Sequence, residues 1–413
     1  MIPPIGLLSP KTPSKKNSTL PELLATPDDT RSQTGPHRIP ASFYRPELDS
    51  LRFFAFLMVF MSHGHRLVPA GLFRPRIAWA VDRVLSTGSW GVDLFFVLSA
   101  YLITELLRRE KEATGKVHVG SFYARRILRI WPLYFMAIGI GYFAQFVWSS
   151  QHLPANYIAW FLFLGGNWVC AIHGFPNSVI GPLWSVSIEE QFYLSWPWVV
   201  RQLDLRWVRN VALTLLVVPT LTRIFLAYHH SSPDMFWCNT FARLDPVLAG
   251  ILLSTGLKGR TPNLSYISRI GLFVVASVGL VLTNKTLQIQ PLERATLRTT
   301  VLGYPLEALF VSLIFISVLG APEAGIRWTC LPALKYLGRI SYGLYVFHRL
   351  CYVIAESFLG AMPGLIGYLV KLAVAFCLTL AFAGISYRFF EQPFLHLKKR
   401  FTFILSDRTL GST

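Results

Sequence analysis

Arg52 and His63 stand eleven residues apart in LDSLRFFAFLMVFMSHGHRL (48–67), a stretch whose other side chains are nearly all apolar. On an α-helix eleven residues turn through about 1100°, within roughly 20° of three full turns, so both would lie on one face about 16 Å apart along the axis. A permanent cation and a titratable ring are costly at hydrocarbon depth, and such groups normally face a bundle interior or a water-filled cavity. The chemistry they could do is specific. A neutral imidazole can take a proton from a weak acid at neutral pH, and a guanidinium can hold an anion or steady a developing oxyanion. The structural alternatives are an interfacial arginine that snorkels and a core histidine hydrogen-bonded to a neighbouring helix.

Other polar residues break apolar stretches further along. Asp93 and Ser99 lie in GVDLFFVLSAYLITELL, Glu189 and Glu190 in GPLWSVSIEEQFYLSWPW, and Arg243 and Asp245 in RLDPVLAG. His348 and Arg349 lie in SYGLYVFHRL, and Arg388 and Glu391 in SYRFFEQPF. Any one of these could be a helix-to-helix hydrogen bond; so many in one bundle point to a polar cavity. Arg125, Arg126 and Arg129 cluster in SFYARRILRIWPLY (121–134). Arg125 and Arg129, four residues apart, can offer two forks to one anion such as a phosphate, although flanking positive charge is an equally ordinary reading.

The elements that must position these residues follow from composition. The chain has 413 residues, 53% hydrophobic and 15% charged, with a mean hydropathy of +0.45. A soluble protein carries about 25% charged residues, so the deficit indicates a membrane protein. The net charge of +18 would suggest nucleic acid in a soluble chain; here cytoplasmic loops explain it and no nucleic-acid partner is expected. Ten apolar windows are long enough to span a bilayer: 50–66, 88–107, 130–149, 187–203, 210–228, 240–257, 270–284, 299–319, 340–358 and 365–387. With both termini cytoplasmic, the inner loops and the C-terminus hold 21 Lys and Arg against 7 outside. An eleventh span over 155–172 would leave 10 inside and 18 outside, which the positive-inside rule rejects. The segment 150–186, with Gly165, Gly166 and Asn167 in its apolar part, is therefore expected to be an outer or re-entrant piece.

The predicted fold is all-α and integral to the membrane, a bundle of about ten transmembrane helices. Residues 1–45 read as a disordered cytoplasmic tail, 46–395 as the membrane domain and 396–413 as a short basic tail. The five cysteines show no CxxC or Cys/His spacing, so no metal is expected.

In series, these motifs resemble the acyltransferase-3 family of integral-membrane O-acyltransferases. The match comprises the Arg52-to-His63 spacing, GVDLFFVLSA, FYARRILRIWPLY, LWSVSIEEQFYL, RLDPVLAGILL, LGRISYGLYVFH and SYRFFEQPF, in the family's order from Pro46 to Phe394. One departure is Ala100, where the family commonly has glycine after the serine. The chain resembles the stand-alone form, without the hydrolase-like domain of many relatives. The resemblance implies transfer of an acyl group, often acetyl, from a cytoplasmic acyl-CoA to a hydroxyl of a surface glycan or glycosylated metabolite. It implies a multi-pass protein of a bacterial inner membrane with no permanently bound cofactor. By matching position, His63 and Arg52 would be essential, the Arg125–Arg129 pair would serve the donor, and Glu189 or Glu190 would fall in the family's acidic motif. On chemical grounds Arg125, Arg126 and Arg129 lie on the side to meet the phosphates of coenzyme A, and a carboxylate on the second ring nitrogen would fix the tautomer of His63, a role for which Glu189 or Glu190 is expected. Asp93 and Asp245 are substitutes for that orienting role, and His348 is a further candidate. Direct transfer is favoured over an acyl-enzyme on Ser99 or His63, because no base adjoins Ser99 in sequence. The rival classes are a secondary transporter, for which no internal repeat is evident, and a non-catalytic sensor.

Overall fold

The computed structural model describes residues 43–64, 68, 75–287, 289, 296–360 and 362–401. The first 42 residues of the expected N-terminal tail and residues 402–413 of the C-terminal one lie outside them, as does His65. The regular structure of the described residues is entirely helical.

Helix α1 (Pro46–Gly64) opens with a proline, which suits a first helical position, and carries Glu47 and Asp49 in its first turn against the positive helix end. A helix α2 (Pro75–Thr87) leads through one 3₁₀ turn into α3 (Gly91–Thr114), which Gly115 closes in the left-handed conformation. Next come α4 (Val119–Val147), α5 (Ala155–Leu162), α6 (Gly166–His173), α7 (Trp184–Gln202), α8 (Leu205–Leu215) and α9 (Val217–Tyr228). The chain continues through α10 (Pro233–Cys238), α11 (Leu244–Leu257), α12 (Tyr266–Leu287) and α13 (Tyr304–Val318). It ends with α14 (Pro332–Arg339), α15 (Ser341–Leu359), α16 (Gly364–Ser386) and α17 (Gln392–Lys398).

Among the described residues six helical stretches are long and apolar enough to cross a membrane: Trp79–Thr114, Val119–Val147, Leu205–Tyr228, Tyr266–Leu287, Thr299–Val318 and Gly364–Phe401. With side chains such as Phe143, Phe146, Val275 and Ile366 left bare on the outside, this is the surface of a multi-pass membrane protein. The other four predicted spans are helical too, as α1, α7, α11 and α15, but do not reach that length or apolarity. They are the helices that carry most of the polar intrusions. The ambiguous stretch 155–172 forms the two eight-residue helices α5 and α6, broken around Gly165. Each is about 12 Å long, too short to cross alone.

Two apolar clusters hold the bundle, and α1 and α3 contribute to both. Phe56 and Phe60 of α1 pack with Phe96, Leu183 and Tyr352 in one, while Leu51 and Ala55 pack with Leu98, Tyr101 and Phe315 in the other. The backbones approach closely where α11 crosses α3. A Cβ on Gly250 would sit 2.5 Å from the Val97 carbonyl oxygen and 2.8 Å from the Ala100 Cβ. The methyl of Ala100, unusual for the motif, is thus accommodated by a glycine on the facing helix.

Candidate active site

Two groups of buried charge occupy different parts of the bundle. The first is built of ion pairs, with only the Nε of Arg243 buried without a hydrogen-bond partner among its arginine and aspartate groups. Asp93 of α3 accepts two hydrogen bonds from Arg243, at 2.6 and 2.7 Å, both residues being almost fully buried. Arg243 also lies over the rings of Trp237 (4.2 Å), Trp90 (5.1 Å) and Tyr304 (5.5 Å). Asp245 pairs with Arg223 at 2.5 Å, and Arg223 further donates to the carbonyls of Ala242 and Thr300. Asp93 and Asp245, candidates for the site, are therefore engaged in structural pairs that tie α3, α9 and α11 together. Arg223 was not among the candidates, although a cation in the middle of window 210–228 is as conspicuous as Arg52.

The second group has an excess of cations. A cavity of about 280 Å³ lies where the start of α1 meets α3, α4 and α17. Its walls carry five arginines and two lysines against one aspartate: Arg45, Arg52, Arg126, Arg129, Arg339, Lys398 and Lys399 face Asp49. Asp49 holds Arg52 at 2.7 Å and accepts from the Tyr44 hydroxyl at 2.9 Å. Among the described residues Arg126 and Arg129 form no ion pair, and the Nε of Arg126 is buried without a hydrogen-bond partner. The Arg126 guanidinium lies over the rings of Phe122 and Tyr193, at 5.6 and 5.5 Å, which hold it in place.

The expected pair of forks was Arg125 with Arg129. The structure turns Arg125 away from the cavity lining: it donates to Glu110 at 2.7 Å and to the Phe401 carbonyl at 2.5 Å. The two guanidinium groups that reach the cavity together are Arg126 and Arg129, three residues apart and still on one helix face.

Ser99 is also in the cavity wall. Its hydroxyl shares a hydrogen bond with the Tyr193 hydroxyl, and Tyr193 donates to Glu189 at 3.2 Å. The sequence offered no base next to Ser99, but folding brings a tyrosine and a carboxylate to it. Glu190 accepts the indole N–H of Trp131 at 2.9 Å.

His63 lies at the far end of α1 from Arg52, about 16 Å along the axis by helical rise. Its Nδ1 meets the Val59 carbonyl at 3.0 Å. A carbonyl only accepts, so Nδ1 carries the proton and Nε2 is the basic nitrogen. The orienting group on Nδ1 is thus a backbone carbonyl of the same helix, not the expected Glu189 or Glu190, whose bonds go to Tyr193 and Trp131. The i−4 carbonyl lies within reach of a histidine at the end of a helix without any tertiary movement. The ring of His348, on α15, stands edge-to-face against that of His63 with centroids 4.9 Å apart. Tyr345, one turn before His348, shares a hydrogen bond with Ser185 of α7 at 2.7 Å.

A family described as "Acyltransferase domain" matches residues 45–388. The peptidoglycan O-acetyltransferase OatA of Listeria monocytogenes is 26% identical over 377 residues, covering 85% of this chain and 56% of that protein. The O-acetyltransferase OatA of Staphylococcus aureus is 27% identical over 370 residues, covering 85% and 57%. The chain thus spans little more than half the length of these relatives. No solved structure matches it.

Proposed function

Because the chain belongs to this acyltransferase family, we propose that it moves an acetyl group from a cytoplasmic acyl-CoA to a hydroxyl of a glycan or glycosylated acceptor. The observation that carries the donor half is the cationic cavity, in which Arg126 presents a buried N–H with no acceptor of its own. A polyanion with phosphate oxygens fits that donor set. In this reading Arg126, Arg129 and Arg52 hold the phosphates of coenzyme A, and the acyl arm runs along α1 toward His63. The cavity end of the bundle, where the segments before α1 and after α16 meet, then faces the cytoplasm. The remaining helices α1, α7, α11 and α15 complete a ten-span bundle in a bacterial plasma membrane.

His63 is the general base. Its Nε2 takes the acceptor proton as the acceptor oxygen bonds to the thioester carbonyl; the C–S bond breaks and the thiolate leaves, receiving the proton. Transfer is direct, donor to acceptor. The names of the relatives, which include a peptidoglycan O-acetyltransferase, support an acetyl donor and a glycan acceptor.

The test is thioester consumption and acetyl transfer by purified protein in nanodiscs supplied with acetyl-coenzyme A. His63→Ala is expected to lose turnover by roughly 10²- to 10⁴-fold, the size of a general-base contribution, while still binding coenzyme A. Turnover unchanged in His63→Ala would remove the base from this scheme.

A further inference from the structure

The mechanism leaves one buried histidine unused. His348 has no exposed surface, and its Nδ1 lies 2.6 Å from the Tyr345 carbonyl. The carbonyl fixes the tautomer: Nδ1 is protonated, and Nε2 presents a lone pair. That Nε2 is buried with no hydrogen-bond partner. A buried acceptor without a donor is costly, and a phenylalanine would fill the same space among Phe56, His63 and Tyr345 with no such cost. The orphan atom sits on a ring in edge-to-face contact with the ring assigned as base. The two rings are thus neighbours, each with its Nδ1 on a backbone carbonyl of its own helix.

Resting on the acyl-transfer reading above, we infer that His348 determines specificity: its Nε2 accepts a hydrogen bond from a second donor group on the acceptor, carried by the carbon next to the reacting hydroxyl. The acceptor is then a 1,2-diol or a 2-acylamino alcohol, both found on sugar rings, and not a simple alcohol. Only the reacting hydroxyl gives up its proton, to His63, and that proton ends on the departing thiol. The neighbouring donor keeps its own proton throughout. A site built to receive a donor discriminates strongly against an analogue that lacks it, because the buried acceptor is then left unpaired.

The experiment supplies acetyl-coenzyme A to the full chain in nanodiscs with three probes: cis-cyclohexane-1,2-diol, 2-acetamidocyclohexanol and cyclohexanol. Acetylated product is measured by mass spectrometry. At least one of the two bifunctional probes is expected to be acetylated about tenfold or more faster than cyclohexanol, and which of them leads tells a hydroxyl donor from an amide one. In His348→Phe that ratio falls to near one, whereas His348→Gln, whose amide oxygen still accepts, keeps part of it. Coenzyme A binding, at the other end of α1, reports folding; a Phe variant that loses it is replaced by His348→Leu, read in the same way. A native ratio near one, or a preference surviving in the Phe variant, overturns the inference and leaves Nε2 holding a buried water. Thioester consumption with no probe acetylated also counts against it while the acyl-transfer reading stands. An intact thioester sinks the acyl-transfer reading itself.

Discussion

The paired charges around Arg243 and the cationic cavity around Arg126 are built from the same residue types in the same bundle, yet their electrostatics are opposite. Asp93 and Asp245 each meet one arginine, two pairs one to one, with the buried Glu307 carboxyl near Asp93 and Arg243. Among the described residues lining the cavity seven cations face one carboxylate; Asp49 is already engaged with Arg52, and Arg45 turns to Glu323 outside the lining, which still leaves an excess of positive charge. A charge removed from water must find a partner. The first group finds it within the chain and holds α3, α9 and α11 together. The second leaves positive charge that an anionic ligand can neutralise. Counting charged residues in membrane helices does not separate these cases; counting how many are already paired does.

The largest effect is expected where a structural pair is broken. Arg243→Ala leaves Asp93 as an uncompensated buried charge, which costs about 3–5 kcal/mol and should appear as loss of folded protein in detergent thermal-unfolding assays. Combining it with Asp93→Leu should recover much of that loss. If Arg243→Ala instead stays folded and loses only donor binding, the paired group belongs to the site and the contrast fails. In the cavity the same type of change should act on the ligand, not on the fold. Arg126→Ala is expected to weaken coenzyme A binding by about 1.5–3 kcal/mol, the worth of a hydrogen bond to a charged group, with unfolding little changed.

Arg125→Ala sharpens the comparison, because it removes a neighbouring arginine that is already paired with Glu110. It should lower stability by about 1–2 kcal/mol and leave donor affinity within about twofold; a loss as large as that of Arg126→Ala would restore the pair that the spacing first suggested. The smallest effect is at the rim. Thr261 donates a hydrogen bond to Glu323 and Arg45 pairs with it at 2.7 Å, and these, in that order, hold its carboxyl below the ordinary glutamate range against the opposing effect of partial burial. Because the folded value is depressed, the contribution is full above the unfolded value of about 4.3 and is lost as pH falls through the folded one. The pair is exposed, so Glu323→Gln should cost at most about 1 kcal/mol at pH 7 and nothing once both forms are protonated.

Much of this was legible before any coordinates. The helical spacing of Arg52 and His63, the glycine break at 165–166 and the residues that interrupt apolar stretches all follow from local rules. The partners do not. Asp93 and Arg243 are 150 positions apart, and nothing in either neighbourhood says that they meet. Arg125 and Arg126 are equally good companions for Arg129 by helical geometry; Glu110, on the preceding helix, decides between them by capturing Arg125. A carboxylate is a common orienter of histidine, which points the sequence reading to Glu189 and Glu190, whereas α1 supplies its own carbonyl at Val59. Arg223, a cation inside an apolar window, is visible to the same rule that marks Arg52. The count of ten spans reflects the same limit: α1, α7, α11 and α15 are helices whose burial among other helices, not their own apolarity, would let them lie in a membrane.

The central claim is that the excess charge of the cavity is reserved for an anionic donor. Its most direct test is titration of coenzyme A into the purified full chain, native and Arg126→Ala/Arg129→Ala, with folding checked by thermal unfolding. The account predicts saturable binding by the native protein and a loss of at least about 100-fold in the double variant, two charge-assisted contacts being removed, with the unfolding temperature nearly unchanged. Equal affinity in the two folded proteins would contradict it.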